Sequence, residues 1–266
     1  MAELPKYVSN SALSQYLRCS EQYRLERIEK IPTPPAWYFI GGKAVHLATQ
    51  WMDEKNEYPY SDNHLEHLWS QAYDQEISEA FTDWPQDDEW LQAGRRGSEQ
   101  GYAYWDARGI AAVKAWHEWR NVPERSMEID SIEEEIEVEL PSGIVLKGFI
   151  DRVFRNPDPE SRQFGYHVLD IKSGTKRPSS ALQLGFYKVG YEIKHPGRKV
   201  VSGAWWMAKD AKEFVVPIDH ITIEMLDEWA QSYYRGVEHE VFIPNVGDAC
   251  FFCAVKDHCA AYPKDS

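Results

Sequence analysis

The chain has 266 residues, of which 43% are hydrophobic and 27% charged, so it is long enough for one large domain and too apolar to be disordered. Its formal net charge of −14 argues against non-specific nucleic-acid binding over the whole surface, although it leaves room for a local basic groove. No apolar run approaches the length of a membrane span, and the first residues lack a secretory signal. These features predict a cytoplasmic protein without membrane partners.

The first half of the chain is predicted to be helical. Apolar residues at near-helical spacing predict a helix over residues 9–28. A second helix is expected to begin after Gly41 and Gly42, with His46 near its start. Residues 51–125 are rich in Trp and acidic side chains, and we expect them to form a helical insert packed against the rest.

The second half has the pattern of a sheet with accompanying helices. Partial alternation of apolar residues predicts a hairpin whose strands lie near 132–140 and 144–151, joined by the turn Pro141-Ser142-Gly143. Further strands are predicted at 166–172, 199–207 and 213–218, and helices at 180–193 and 222–237. The resulting order, helices followed by β-β-β-α-β-β-α, predicts an α/β fold with a mixed central sheet flanked by helices and a sheet core at 126–240.

Two carboxylates and a lysine form the candidate catalytic group. Asp151 is expected to end one strand, and Asp170 and Lys172 lie near the end of the next, where alternate residues project from the same face. Carboxylates that converge from neighbouring strands suit Mg²⁺ or Mn²⁺, and a lysine beside the cation could orient or deprotonate an attacking water. The pattern alone is weak, since a solvated strand end is an equally ordinary source of it. The apolar Val168 and Leu169 strengthen it, because charges in a buried strand are costly unless paired or metal-bound.

Three further side chains are candidates to support this group. Gln183 and Tyr187 lie four residues apart on the following predicted helix and therefore share a face. Both could hydrogen-bond a DNA phosphate or brace Lys172; the alternatives are an ordinary polar position and a core tyrosine. His46 could supply a nitrogen ligand to the cation, although a single histidine on a helix is more often structural.

The cysteines form a second constellation. Cys250, Cys253 and Cys259 are crowded near the end of the chain with the spacing of a metal-site fragment, and Cys19 is the only other cysteine. Four thiolates suit either Zn²⁺ or an iron–sulfur cluster. His258 and His239 are alternative fourth ligands.

Together these motifs resemble the PD-(D/E)xK nuclease superfamily. More narrowly, the chain is similar to RecB-like exonucleases with a four-cysteine iron–sulfur cluster, which include the CRISPR-associated RecB-like adaptation exonucleases, the AddB nuclease domain and related phage exonucleases. The matching motifs cover almost the whole chain and are, in order, Leu13-Ser14-x-Tyr16-x-x-Cys19, Gly42-x-x-x-His46, Gly148-Phe149-Ile150-Asp151-Arg152, Leu169-Asp170-Ile171-Lys172-Ser173-Gly174, Gln183-Leu184-x-x-Tyr187, and Cys250, Cys253 and Cys259. Ile150 stands where the superfamily's name has proline.

The resemblance implies a restriction-endonuclease-like core and a set of site residues. It implies that Mg²⁺ or Mn²⁺ is bound by His46, Asp151, Asp170 and the backbone carbonyl of Ile171. It implies that Lys172 is catalytic together with the two aspartates, and that Gln183 and Tyr187 support them.

The resemblance also implies a [4Fe–4S] cluster held by Cys19, Cys250, Cys253 and Cys259. Residues 1–30 and 241–266 would then join as an iron–sulfur lobe of a single nuclease domain spanning 1–266. The implied activity is that of an exonuclease on DNA ends, preferring single strands, in the cytoplasm or in the host cytoplasm if a phage encodes the protein.

DNA must reach such a site through a restricted basic path, because the chain as a whole is acidic. Candidate phosphate contacts are Lys172, Lys176, Arg177, Arg95, Arg96 and Arg108, and candidate stacking platforms are Trp105, Trp205 and Trp206, for which a place in the core is the more common role. The sequence has no G-x-x-x-x-G-K-[ST] motor motif, so the chain would act alone, as a homo-oligomer or with a recombination partner protein. The alternative function is a catalytically silent DNA-binding adaptor of a recombination or DNA-capture complex.

Overall fold

A computed structural model describes residues 4–92, 100–122, 128–156 and 165–262 of the chain. Its centre is a five-stranded sheet in the order β1-β2-β3-β4-β5. The strands are β1 (Glu128–Glu139), β2 (Val145–Asn156), β3 (Gly165–Lys172), β4 (Val200–Met207) and β5 (Lys212–Val216). Strands β3 and β4 run parallel and the other neighbours antiparallel, which confirms the predicted mixed sheet.

Seven α-helices accompany the sheet in the described part of the chain. They are α1 (Asn10–Arg18), α2 (Ser20–Tyr23), α3 (Trp37–Lys55), α4 (Asp62–Asp83), α5 (Tyr102–Arg120), α6 (Leu182–Lys194) and α7 (Ile223–Glu238). Among the helices that the structure describes, none is long and apolar enough to cross a membrane.

Hydrophobic side chains pack in two separate cores, one on each side of the sheet. One core contains Leu13 of α1, Phe186 of α6 and Leu226 of α7. The other contains Val45, Trp69 and Trp116 from α3, α4 and α5. The protein is therefore an α/β fold with helices on both faces of a mixed sheet, as the sequence predicted. Helix α3 already begins before residue 51, where the expected helical insert was to start.

Helix α3 does not begin after Gly41 and Gly42, as predicted, but runs through both. The two glycines are needed for packing. A Cβ atom on Gly41 would lie 2.6 Å from the Trp105 ring of α5, and one on Gly42 would lie 3.1 Å from Ser173 Oγ just beyond β3. The absence of side chains at these positions lets α3 approach both elements closely.

The predicted helix over residues 9–28 is interrupted at Cys19. This residue has extended backbone angles between α1 and α2, and Arg24–Ile28 continue as a π-helix. Cys19 Sγ accepts a hydrogen bond from the backbone N–H of Asn245 at 3.4 Å. The interruption therefore turns Cys19 towards the C-terminal segment.

Strand β2 does not end at Asp151, as predicted, but continues to Asn156. The continuation is stabilised on both sides, because residues 152–156 pair with β3 while the strand still pairs with β1. Asp151 lies where the pairing with β3 begins. Its side chain, rather than its backbone, contacts β3: the Ile171 N–H donates to Asp151 Oδ2 at 2.6 Å.

Candidate active site

Asp151 and His46 meet where α3 crosses the sheet. Asp151 is a buried residue of β2, and its Oδ2 lies 3.3 Å from His46 Nδ1 on α3. The approach of α3 to the end of β3 at Gly42 places His46 one helical turn further along, beside the strands. The structure thus brings together a carboxylate and an imidazole that the sequence separates by about a hundred residues.

The Asp-x-Lys residues of β3 contact the predicted pair on α6. Lys172 Nζ lies 2.7 Å from Asp170 Oδ2 and donates to Gln183 Oε1 at 2.9 Å. Gln183 Nε2 in turn donates to Asp170 Oδ1 at 2.6 Å, and the Tyr187 hydroxyl donates to the same oxygen at 3.2 Å. Gln183 and Tyr187 also contact each other at 2.7 Å, as expected for positions four apart on one helix. These contacts place Gln183 and Tyr187 around Asp170 and Lys172.

Glu133 is an additional acidic residue that the sequence analysis missed. One ligand atom each from Glu133, His46 and Asp151 lie within 4.8 Å of one another, close enough to share a cation. Burial raises the pKa of Glu133 to about 7, and the nearby Asp151 carboxylate adds to this effect. The registers Ile132↔Arg152 and Glu134↔Ile150 place Glu133 across from Asp151. The predicted hairpin turns at Ser142, and pairing residues at equal distances before and after Ser142 would also have placed Glu133 opposite Asp151.

The ionisable groups of the site strongly influence one another. Burial lowers the pKa of His46, but Asp151, Asp170 and Glu133 together outweigh this effect, and the pKa rises to about 8. Burial raises the pKa of Asp170 to about 6 although Lys172 opposes the change. Burial also acts to raise the pKa of Asp151, yet His46, the Ile171 N–H and Lys172 together hold it below its ordinary value. These pKa shifts reflect closely spaced carboxylates whose negative charge is balanced by His46 and Lys172.

A cleft of about 580 Å³ opens over this group. Its walls include Tyr38, Phe39 and His46 of α3, together with Glu133 and Lys172. Phe39 is 65% exposed and offers an aromatic ring at the cleft. In this cleft, the candidate cation ligands His46 and Glu133 therefore lie near the exposed ring of Phe39.

The candidate DNA-path residues occupy different positions. Arg108 donates to the Ser173 carbonyl from Nη2 at 2.7 Å, while Arg177 lies over the Phe214 ring and Lys176 is exposed. Arg95 and Arg96 lie outside the described residues. Trp105, Trp205 and Trp206 are all buried in the two cores, which confirms the core role that was expected to be more common for them than base stacking.

All four cysteines line one small cavity between the N- and C-terminal segments. None of them forms a disulfide. No three of their sulfur atoms lie within 4.8 Å of one another, so the structure does not show a closed metal site. The lining includes Leu25 and Asn245, but neither His239 nor His258.

Comparison with known proteins decides the family. The sequence profile described as the PD-(D/E)XK nuclease superfamily matches residues 7–260, nearly the whole chain. The chain belongs to the PD-(D/E)XK nuclease superfamily. Members use divalent metals, and the His46, Glu133 and Asp151 group offers a place for one. Membership supports metal-dependent nuclease activity, and the family implies DNA as the substrate.

Relatives of this nuclease-family chain are found among phage proteins. It is 26% identical over 272 residues to the Gene 69 protein of Mycobacterium phage D29, with 96% of each chain covered. It is 27% identical over 293 residues to the Gene 69 protein of Mycobacterium phage L5, again with 96% of each covered. A solved structure titled SSO0001 covers 96% of each chain at 12% identity with a TM-score of 0.37, a likeness too low to carry an argument.

Proposed function

We propose that this protein is a metal-dependent exonuclease that acts on DNA ends and prefers single strands. The observation that carries the proposal is that His46 contacts the buried Asp151 and Lys172 contacts the buried Asp170, while His46 and Lys172 both line one cleft. Two strands and a helix supply these residues, so the arrangement results from the fold and not from proximity in sequence.

The residues present fit a hard divalent cation. His46, Asp151, Asp170 and the Ile171 carbonyl would hold Mg²⁺ or Mn²⁺ through oxygen atoms and one nitrogen, which are suitable donors. Asp170 Oδ2 is buried, and the charge that balances it is the Lys172 ammonium at 2.7 Å. A bound cation would supply Lewis acidity, lowering the pKa of a water and offsetting charge on the scissile phosphate.

Lys172 is placed to act directly on the substrate. Its side chain is 28% exposed at the cleft, while Asp170 and Gln183 hold its ammonium from below. We assign to it the orientation of the attacking water and a hydrogen bond to a phosphate oxygen. Gln183 holds both Asp170 and Lys172 in position, and Tyr187 holds Asp170, through hydrogen bonds from uncharged side chains.

The shape of the cleft supports a preference for single-stranded ends. Its volume of about 580 Å³ is that of a small-ligand pocket, which suits a few nucleotides better than a duplex. The exposed Phe39 ring can stack on a base whatever the sequence, as aromatic residues do in single-strand-binding proteins.

We further propose that Cys19, Cys250, Cys253 and Cys259 hold a [4Fe–4S] cluster. Their shared cavity and free thiols support a common ligand. A single Zn²⁺, with Zn–S bonds of about 2.3 Å, needs its four sulfurs close together, whereas no three of these sulfurs lie within 4.8 Å of one another and a cluster fills more space between its ligands. Anaerobically prepared protein should be brown with broad visible absorption; colourless protein with one equivalent of zinc would show that the cluster proposal is wrong.

The nuclease proposal is tested on linear DNA with Mn²⁺ or Mg²⁺. The wild-type protein should shorten single strands faster than duplexes, and strands blocked at the 5′ or 3′ end should reveal the polarity. Lys172→Ala and Asp170→Asn should each reduce the rate at least about 100-fold. Lys114→Ala, which alters an exposed ion pair with Glu66 on the helical side, serves as the control. Full activity in both site variants would overturn the proposal, and DNA binding without cleavage in any metal would favour the adaptor function.

A further inference from the structure

Glu133 has an unusual backbone for a residue inside a strand. Its φ angle is 48°, in the left-handed region that residues other than glycine seldom occupy. Such strained residues persist where the surrounding structure holds them, and they are concentrated at functional sites. The conformation at Glu133 therefore needs an explanation beyond the pairing of β1 with β2.

The position of the Glu133 carboxylate is also unfavourable without a cation. It faces Asp151 across the two strands, and like charges directly opposite each other destabilise a sheet. In the part of the chain that is described, Glu133 Oε1 is buried without a hydrogen-bond partner. Arg152 Nη1 lies 3.5 Å from this oxygen.

Arg152 is already engaged elsewhere. Its Nε donates to Asp53 Oδ2 at 2.6 Å, and its Nη1 donates to the Asp151 carbonyl at 2.6 Å. One guanidinium therefore serves both the buried Asp53 carboxylate and Glu133. The Glu133 carboxyl group thus shares its guanidinium partner and lies beside His46 and Asp151.

We propose that Glu133 is a ligand of the divalent cation, bound together with His46 and Asp151. The three residues present one donor atom each within 4.8 Å, a spacing compatible with one coordination sphere. The left-handed backbone turns the carboxylate into this sphere, and the cation relieves the repulsion between the two opposed carboxylates. This inference rests on the cation centre of the proposed function and adds a residue from β1 to it.

The test measures Mn²⁺ binding to the full-length protein by isothermal titration calorimetry, without DNA. Glu133→Gln keeps the size of the side chain but replaces a carboxylate oxygen with a much poorer ligand. Its Mn²⁺ affinity should fall at least about 10-fold, or one equivalent of Mn²⁺ should be lost. Glu137→Gln is the matched control, because Glu137 lies on the same strand, is exposed and pairs only with Lys147 in the described structure.

Thermal melting of the metal-free protein separates a ligand from a structural residue. Glu133→Gly relieves the left-handed strain and the repulsion, so the melting temperature of the metal-free variant should stay the same or rise while Mn²⁺ affinity falls. If Glu133 served only as a partner of Arg152, both variants would melt at lower temperature and bind Mn²⁺ like the wild type, which overturns the inference.

Two further outcomes distinguish this inference from the proposed function. Loss of Mn²⁺ binding in Asp170→Asn with unchanged binding in Glu133→Gln refutes the role of Glu133 and leaves the nuclease proposal intact. Weakened binding in Glu133→Gln, in a protein that cleaves no DNA, supports the ligand and refutes the nuclease. A wild-type protein that binds no Mn²⁺ refutes both.

Discussion

Gln183 links the lysine of the candidate active site to one of its carboxylates through a single amide group. It accepts from Lys172 Nζ and donates to Asp170 Oδ1. Gln183→Leu removes both hydrogen bonds at similar volume, so Lys172 should lose its fixed position. We expect the rate of DNA cleavage to fall about 10- to 100-fold, as for other residues that orient metal-site side chains, with little change in melting temperature.

Initial rates with Mn²⁺ and circular dichroism melts test this expectation. Gln231→Leu is a suitable control, because Gln231 makes a comparable hydrogen bond to Asp227 on α7. A Gln183→Leu protein that melts at a lower temperature but cleaves DNA at the wild-type rate would show that the amide contributes only to stability.

The sequence identified those site residues that belong to short motifs. Asp170, Lys172, Gln183 and Tyr187 were predicted from spacing along one strand and one helix, and the structure places them in contact. Glu133 was missed because it lies within an acidic run in which no residue stands out. Only the pairing of two strands identifies it as the one opposite Asp151.

At the level of secondary-structure elements, a buried ion pair fastens α3 to β2. Asp53 of α3 and Arg152 of β2 are fully buried, and Asp53 also accepts hydrogen bonds from Trp116 and Arg120. Asp53→Ala would leave a buried guanidinium without its partner, and we expect the free energy of unfolding to fall by about 3–5 kcal/mol. Urea denaturation of the metal-free protein measures this change.

The control for this prediction is an exposed ion pair. Lys114→Ala removes contacts with Asp62 and Glu66 at the surface, where water screens the charges, and should leave the urea midpoint almost unchanged. Equal midpoints for the wild type and Asp53→Ala would mean that Arg152 finds other compensation. The buried Asp53–Arg152 pair also fixes the distance between α3, which carries His46, and β2, which carries Asp151. Its loss should therefore also weaken Mn²⁺ binding.

Close packing of α4 on α5 depends on a single glycine. A Cβ atom on Gly109 would lie 1.9 Å from the Trp69 ring, which is itself buried. Gly109→Ala should force the helices apart and lower the free energy of unfolding by about 1–3 kcal/mol. Thermal melting checks this, with Gly174→Ala as the control, since no atom lies within 4 Å of a Cβ there. Identical melting of the two variants would contradict the packing described.

The order of the elements was predictable, and their boundaries were less so. The apolar strand at 165–172 and the alternating hairpin are local patterns, so they were found from sequence alone. The predicted start of α3 was wrong because the adjacent Gly41 and Gly42 resemble a helix break. They are tolerated in the helix because Gly41 packs on the Trp105 ring and Gly42 on Ser173, which both come from distant parts of the sequence.

Across the whole molecule, hydrogen bonds join the two ends of the described chain. The Tyr16 hydroxyl donates to the Val241 carbonyl, the Ile243 N–H donates to Ser20 Oγ, and the Asn245 amide donates to the Arg18 carbonyl. These contacts are few and partly exposed, so we expect the proposed cluster to contribute most of the attachment.

Loss of the cluster should therefore loosen the C-terminal segment without unfolding the sheet. In Cys253→Ser we expect limited proteolysis to cut after about residue 241, while the remaining fragment keeps its far-ultraviolet circular dichroism. Mass spectrometry of the fragments identifies the site, and Asp257→Ala, an exposed change in the same segment, is the control. Equal resistance of the wild type and Cys253→Ser would show that the hydrogen bonds suffice.

The hydrogen bond from Ile171 to Asp151 affects how an inactive form should be made for crystallisation with DNA. Asp151→Ala removes the acceptor of a buried main-chain N–H, so β2 and β3 would shift as well. In the described structure the Lys172 side chain accepts no main-chain hydrogen bond, and it reaches solvent. A complex trapped with Lys172→Ala should preserve the strand geometry of the wild-type protein, whereas one trapped with Asp151→Ala should not.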